Sequence, residues 1–178
     1  MSTAPSPGFS REFDFARLTA AETVAVSASP DECAALAAAF DLPAIAALSG
    51  RVLMCRLPNG RVAAQLDLDA RVTRICVVTL DLFEQRVSER SALIFVPARG
   101  REDAEEGDMI DDLDSPDEIV ADGTVVDLGA LIAEQLALAL DPWPRKPDAV
   151  LPDPGEARAE GPFAALAALK RGGEPEGG

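Results

Sequence analysis

Two carboxylates in one strand-like segment, Asp67 and Asp69, are the first candidates for chemistry in this sequence. Two carboxylates on one face of a strand can act as a general acid and a general base. Their alternation with Arg61 and Arg71 instead favours cross-strand charge pairing on a solvated surface. The chain contains no histidine, which removes the commonest general base and most zinc ligand sets. The sequence therefore predicts no catalytic site.

The cysteines do not form a recognisable site either. Cys33, Cys55 and Cys76 lack the paired spacing of a disulfide framework or a zinc site. Cys76 lies in a strand-like run, where a buried structural thiol is expected more often than a nucleophile. Glycine-rich phosphate-binding motifs are also absent. We expect no cofactor, no bound metal and no enzymatic activity.

Charge is distributed unevenly along the chain. There are 31 acidic and 16 basic residues, and the net charge is −15. Between positions 101 and 122 stand 11 acidic residues and one arginine, so residues 100–122 are predicted to form a solvated acidic loop. Weak cation binding by this loop is an alternative, but the offsets of a calcium-binding loop are not met. The aspartates in question are Asp108, Asp111, Asp112 and Asp114.

Hydrophobic patterning predicts a mixed α+β domain. A strand is expected at 23–28 and a helix at 30–40, which begins with a Ser29 and Glu32 capping box. A β-hairpin is expected at 51–73, with a tight type I′ turn at Asn59 and Gly60. Further strands are predicted at 75–80 and 86–96, and a helix at 127–140 with Asp127 as its N-cap. We expect an antiparallel, partly barrel-like sheet with the helices packed on it.

The domain boundaries follow from composition. Residues 1–8 are predicted to be a flexible N-terminus, 9–151 one domain, and 152–178 a flexible tail that contains a short amphipathic helix at 162–171. A helix this short is expected to form only when it docks on its own domain or on a partner. The residues predicted to bind a partner are Trp143, Arg145, Lys146, Phe163, Leu166, Leu169 and Lys170.

Three segments resemble the YceD family, the bacterial large ribosomal RNA subunit accumulation proteins. They are Cys76–Leu80, Val126–Pro142 and Pro162–Lys170. The resemblance implies a role in 23S ribosomal RNA accumulation and large-subunit biogenesis, with no known enzymatic activity. Many relatives carry a Cys-x-x-Cys motif where this chain has Cys76 and Thr79, so a family metal site cannot be carried over. The family gene often neighbours one for a large-subunit ribosomal protein, which favours a basic ribosomal protein as partner.

The leading hypothesis is therefore a factor that binds a nascent component of the large subunit, either the pre-ribosomal particle or a basic ribosomal protein. The alternative is direct binding of ribosomal RNA through the basic residues of the hairpin 51–74, which contains five arginines and two acidic residues. These arginines are Arg51, Arg56, Arg61, Arg71 and Arg74. They could equally form a docking surface for the acidic loop of the same chain. Aromatic residues are only 4% of the chain, so a base-stacking surface is not expected. We expect a cytoplasmic monomer that binds neither DNA nor membranes.

Overall fold

The computed structural model describes residues 8–97 and 116–150. Within these ranges the chain forms seven strands and two α-helices. In chain order they are β1 (Glu12–Asp14), β2 (Glu22–Ser27), α1 (Pro30–Ala39), β3 (Ala44–Arg56), β4 (Val62–Ile75), β5 (Leu82–Pro97), β6 (Asp117–Ala121), β7 (Val125–Asp127) and α2 (Leu128–Ala139). Short 3-10 turns occur at Phe15–Arg17 and Pro58–Gly60.

Five strands form one sheet in the order β2-β3-β4-β5-β6, and β1 pairs with β7 in a second, two-stranded sheet. The first three pairings of the large sheet are antiparallel, and β6 joins β5 in parallel. The predicted α+β class is confirmed. The sheet is open, with β2 and β6 at its edges, so the barrel-like curvature stays a prediction.

The long hairpin of β3 and β4 lies in the interior of the large sheet. Every second residue of β4 from Val62 to Val72 is buried, as the alternation predicts. The predicted type I′ turn is not found. Pro58–Gly60 make a 3-10 turn instead, and the N–H of Leu57 donates to the carbonyl of Arg61 at 2.8 Å. Gly60 alone supplies the left-handed conformation, with φ of 74°. A three-residue connection of this kind ends in a left-handed glycine, whereas type I′ requires two positive φ angles.

Both helices begin at side-chain caps that the sequence predicts. Ser29 and Glu32 form a reciprocal capping box at α1, and the Asp127 carboxylate accepts the N–H groups of Gly129 and Ala130 at α2. α2 covers the inner face of the sheet, where the Ile132 side chain is fully buried. The helices thus close one face of the sheet and leave the other face to solvent.

Several elements differ from the prediction, and β5 begins at Leu82 rather than at the predicted 86. Residues 76–80 do not form a strand: they make the turn between β4 and β5, closed by hydrogen bonds from the N–H of Cys76 to the carbonyl of Asp81 and from the N–H of Leu80 to that of Cys76. β3 begins at Ala44, well before the predicted 51. Residues 117–121, which belong to the predicted acidic loop, form β6. The remainder of that loop through position 115 lies outside the described residues.

Candidate macromolecule-binding surfaces

The outer face of the large sheet carries alternating charges. The register places Arg51 of β3 opposite Asp67 of β4, and Asp67 opposite Arg90 of β5. Two residues further along β4, Asp69 forms a salt bridge with Arg86, whose Nε lies 2.9 Å from Oδ2 of Asp69. We call this set of outward-facing side chains the charged ladder. Its members are Arg51, Asp67, Asp69, Arg71, Arg86 and Arg90, and part of it lines a shallow groove of about 680 Å³.

The two aspartates of the charged ladder act as charge partners. Nε of Arg90 lies 2.5 Å from Oδ1 of Asp67. The hydrogen bond from Arg86 lowers the pKa of Asp69 against the opposing effect of desolvation, and the hydroxyl of Ser88 adds to the lowering. A carboxyl group whose pKa lies below its usual range stays ionised at neutral pH and is a poor proton donor. This geometry therefore gives no support to an acid–base pair.

Neither arginine predicted to pair with these aspartates forms a salt bridge with them, although the charge of Arg71 contributes to the lowered pKa of Asp69. Arg61 forms its salt bridge with Glu118 of β6, and Arg71 forms no recorded salt bridge among the described residues. The partners that the fold supplies, Arg86 and Arg90, come from β5. Arg86 and Arg90 are four residues apart in one strand and therefore lie on the same face of the sheet. The sequence pattern of β5 would have identified them as partners of the aspartates if its pairing with β4 had been known.

The fold separates the five arginines that were predicted to form one RNA-binding cluster. Arg51 and Arg71 are exposed on the outer face. Arg56 remains exposed, but its guanidinium donates to three backbone carbonyls of residues 15–18. Arg74 is buried and donates from Nη2 to the carbonyl of Asp141 at 2.7 Å. Arg56 and Arg74 therefore both hold chain segments together, and Arg74 is also withdrawn from solvent.

The turn between β4 and β5 packs against the segment that follows α2. The N–H of Val77 donates to the carbonyl of Pro144 at 2.9 Å, and Nζ of Lys146 lies 2.9 Å from Oδ2 of Asp81. Cys76 is buried here, as predicted. Burial raises the pKa of its thiol, but the backbone N–H of Lys146 and donors within the turn outweigh burial and lower the pKa to about 7. The thiol is readily ionised, yet its burial keeps it from reagents.

Three of the predicted partner-binding residues lie in the described segment after α2. Trp143 has 70% of its surface exposed, and Arg145 is also exposed. Lys146 is half-buried in its contact with Asp81 and is less available to a partner. The other four, Phe163, Leu166, Leu169 and Lys170, lie outside the described residues together with the predicted helix at 162–171.

A second surface arises where β6 and β7 diverge. Asp122 and Val125 form an isolated bridge across a turn in which Gly123 has a φ of 65°. From this turn β6 runs beside β5, whereas β7 pairs with β1. The two strands and α2 enclose a groove of about 500 Å³, which we call the fork groove. Its acidic residues with exposed side chains are Glu12, Asp122 and Glu134. No sequence signal pointed to this groove, because it depends on which strands pair.

Neither a metal centre nor a membrane span is found in the part of the chain that the structure describes. No group of three or more histidine, cysteine, aspartate or glutamate side chains in residues 8–97 and 116–150 is arranged to hold a metal ion. No helix in these ranges is long and apolar enough to cross a bilayer. The four aspartates considered as calcium ligands lie outside the described residues: Asp108, Asp111, Asp112 and Asp114.

The fold and these surfaces define a small α+β domain with two charged faces, one with more arginines than aspartates and one acidic. The family model described as "Large ribosomal RNA subunit accumulation protein YceD" matches residues 64–170, which is more than half of the chain. The chain belongs to this family. No curated protein and no solved structure matches. The family description names a role in large-subunit ribosomal RNA accumulation and no enzymatic activity.

Proposed function

We propose that this protein promotes the accumulation of 23S ribosomal RNA, and with it large-subunit biogenesis, by binding a basic ribosomal protein without catalysing a reaction. Family membership supports the role in accumulation of the large-subunit RNA. The observation that carries the choice of partner is the fork groove, whose described lining contains Glu12, Asp122 and Glu134 and no lysine or arginine. Because its lining is acidic, this groove would attract a basic ribosomal protein that is not yet part of a large subunit.

The charge of the whole chain supports the same partner. A net charge of −15 attracts a cationic protein at long range and repels a polyanion such as RNA. The outer face of the sheet does not reverse this balance, because Asp67 and Asp69 each neutralise one arginine of the charged ladder. The acidic residues of the fork groove have no recorded ion pair among the described residues.

Depletion of the protein tests the cellular role. The ratio of 23S to 16S ribosomal RNA should fall and should recover when the unchanged chain is expressed again. A ratio that stays constant during depletion, with normal large subunits, would contradict the role.

The partner class is tested separately by affinity capture with the full-length protein. Purified large-subunit proteins are offered with and without intact ribosomal RNA. Retention of a basic protein after nuclease treatment is the expected result. Capture that depends on RNA would contradict the proposal and favour the second candidate.

That second candidate is direct binding of ribosomal RNA through the outer sheet face, and the four arginines of the charged ladder favour it. Gel shifts over a salt series test it, because affinity for phosphate falls steeply with salt. Arg51→Ala and Arg71→Ala are the informative variants, since these arginines have no recorded salt bridge among the described residues. Arg17→Ala is the control: its side chain is 87% exposed, it lies outside the ladder strands, and its salt bridge is a local one with Asp14. Equal affinity of all three variants for RNA would exclude this face.

Arg56→Ala is unsuitable for that experiment. The guanidinium of Arg56 donates to three carbonyls of residues 15–18, so its loss would loosen the N-terminal segment of the domain. A loss of RNA binding in this variant could reflect unfolding alone. The monomeric state, the cytoplasmic location and the docking role of residues 162–171 stay predictions.

A further inference from the structure

Within residues 8–97 and 116–150, one edge of the large sheet has no partner strand where it borders the fork groove. β6 pairs with β5 on one side, and no described strand pairs with its other side beyond the bridge of Asp122 and Val125. An edge strand of this kind presents backbone N–H and C=O groups that can bind a further strand. β7 does not fill the position: it pairs with β1 in a separate sheet, in the antiparallel register of Glu12 with Asp127.

The side chains beside this edge define the chemistry of an occupant. Val120 and Val125 remain 47% and 38% exposed, so apolar surface is offered at the groove. Glu12 of β1, Asp122 of the turn and Glu134 of α2 place carboxylates around it from three different elements. An occupant that alternates apolar and basic residues would bury the valines on one face and approach the carboxylates with its charges.

We propose that the fork groove binds an extended, lysine- and arginine-rich peptide segment, which adds as a sixth strand to the free edge of β6. This inference rests on the proposed function, because the segment belongs to the basic ribosomal protein named there. Backbone hydrogen bonds from β6 hold the segment, and the carboxylates select its charge. β6 has five residues, so a paired stretch of about four to six residues is expected.

Binding of a synthetic peptide to the full-length protein tests the mode of recognition. The probe is an eight-residue peptide of alternating lysine and valine, followed by fluorescence anisotropy at low salt. A peptide of the same charge with two prolines in place of valines cannot complete a strand ladder, and a glutamate–valine peptide has the wrong charge. We expect binding of the first peptide only. Equal binding of the proline peptide would overturn strand addition.

Hydrogen–deuterium exchange locates the bound peptide. Strand addition should slow exchange of the amides in residues 117–121. Protection confined to β4 and β5, with displacement of the peptide by an RNA oligonucleotide, would place binding on the charged ladder and overturn the proposal. Protection, without peptide, of the β6 amides that do not bond to β5 would also overturn it: a second copy is the occupant if this protection grows with protein concentration, and this chain's own segment if it does not.

Charge reversal supplies the matched variants. Glu134→Lys should weaken peptide binding about tenfold at low salt, and the difference should shrink as salt rises. Glu22→Lys is the control, because Glu22 is exposed on β2 at the opposite edge of the sheet. An equal loss of peptide affinity in both variants would show that only the net charge of the protein matters, and would overturn the site. If Glu134→Lys still captures the ribosomal protein and restores the RNA ratio, the groove proposal fails while the proposed function stands.

Discussion

Replacing Gly50 by alanine should destabilise the domain by about 1–3 kcal/mol, the usual cost of overpacking a filled core. Gly50 lies on the inner face of β3, directly beneath α2. A Cβ atom there would come within 2.6 Å of Cδ1 and 2.8 Å of Cγ1 of Ile132, and within 3.1 Å of Cδ1 of Leu66. Ile132 is fully buried and branched at Cβ, so it has little freedom to move aside. Helix α2 would have to lift from the sheet.

Urea unfolding of a double-mutant cycle measures this contact. Ile132→Ala alone should cost about 2–5 kcal/mol, because it leaves a cavity. In the double variant the new methyl group enters that cavity, so the total cost should fall about 1–3 kcal/mol below the sum of the single variants. Strictly additive costs would refute the packing argument.

Gly129→Ala is the control for this cycle. Its Cβ would meet the backbone carbonyl oxygen of Phe9 at 2.7 Å, an obstacle that Ile132→Ala does not remove. Gly129→Ala should therefore be destabilising by itself and should show no comparable relief in combination with Ile132→Ala.

Three further predictions concern ionisable groups. The Arg11 side chain, followed by the backbone at the helix start, lowers the pKa of Glu32 from 4.5 to about 2. Stability gained from this carboxylate is present above pH 4.5 and lost as pH falls towards 2, so Glu32→Gln should flatten the pH dependence of urea unfolding in that window. The Cys76 thiol has a pKa of about 7 against 9.0 for an ordinary cysteine, so it should ionise near pH 7 in an ultraviolet difference titration against Cys76→Ser. Because this pKa is lower in the folded state, the stability that the thiolate contributes should decline as pH falls from 9 through 7. Asp69→Asn should leave the midpoint of thermal or urea unfolding nearly unchanged, because the Asp69 side chain is 45% exposed and its salt bridge is solvated.

Local patterns in the sequence determined much of the fold. The alternation of Val62 to Val72 assigned both faces of β4 correctly, because side chains of a strand point to opposite faces whatever lies next to it. Ser29 and Asp127 marked the starts of both helices, since a cap acts on backbone groups within three residues. The match to the YceD family likewise follows from the order of residues along the chain.

Properties that depend on strand pairing were decided by the tertiary structure alone. Residues 76–80 have the composition of a strand, but Leu80 has a φ of 62° and lies in a turn held by the segment after α2. Asp69 pairs with Arg86 because β5 lies beside β4, and a period-two pattern records the face of a residue without recording its neighbour. The fork groove is formed by strands β6 and β7, which adjoin in sequence but enter different sheets. The strand edge and the arrangement of the exposed carboxylates around it therefore arise only in the folded chain.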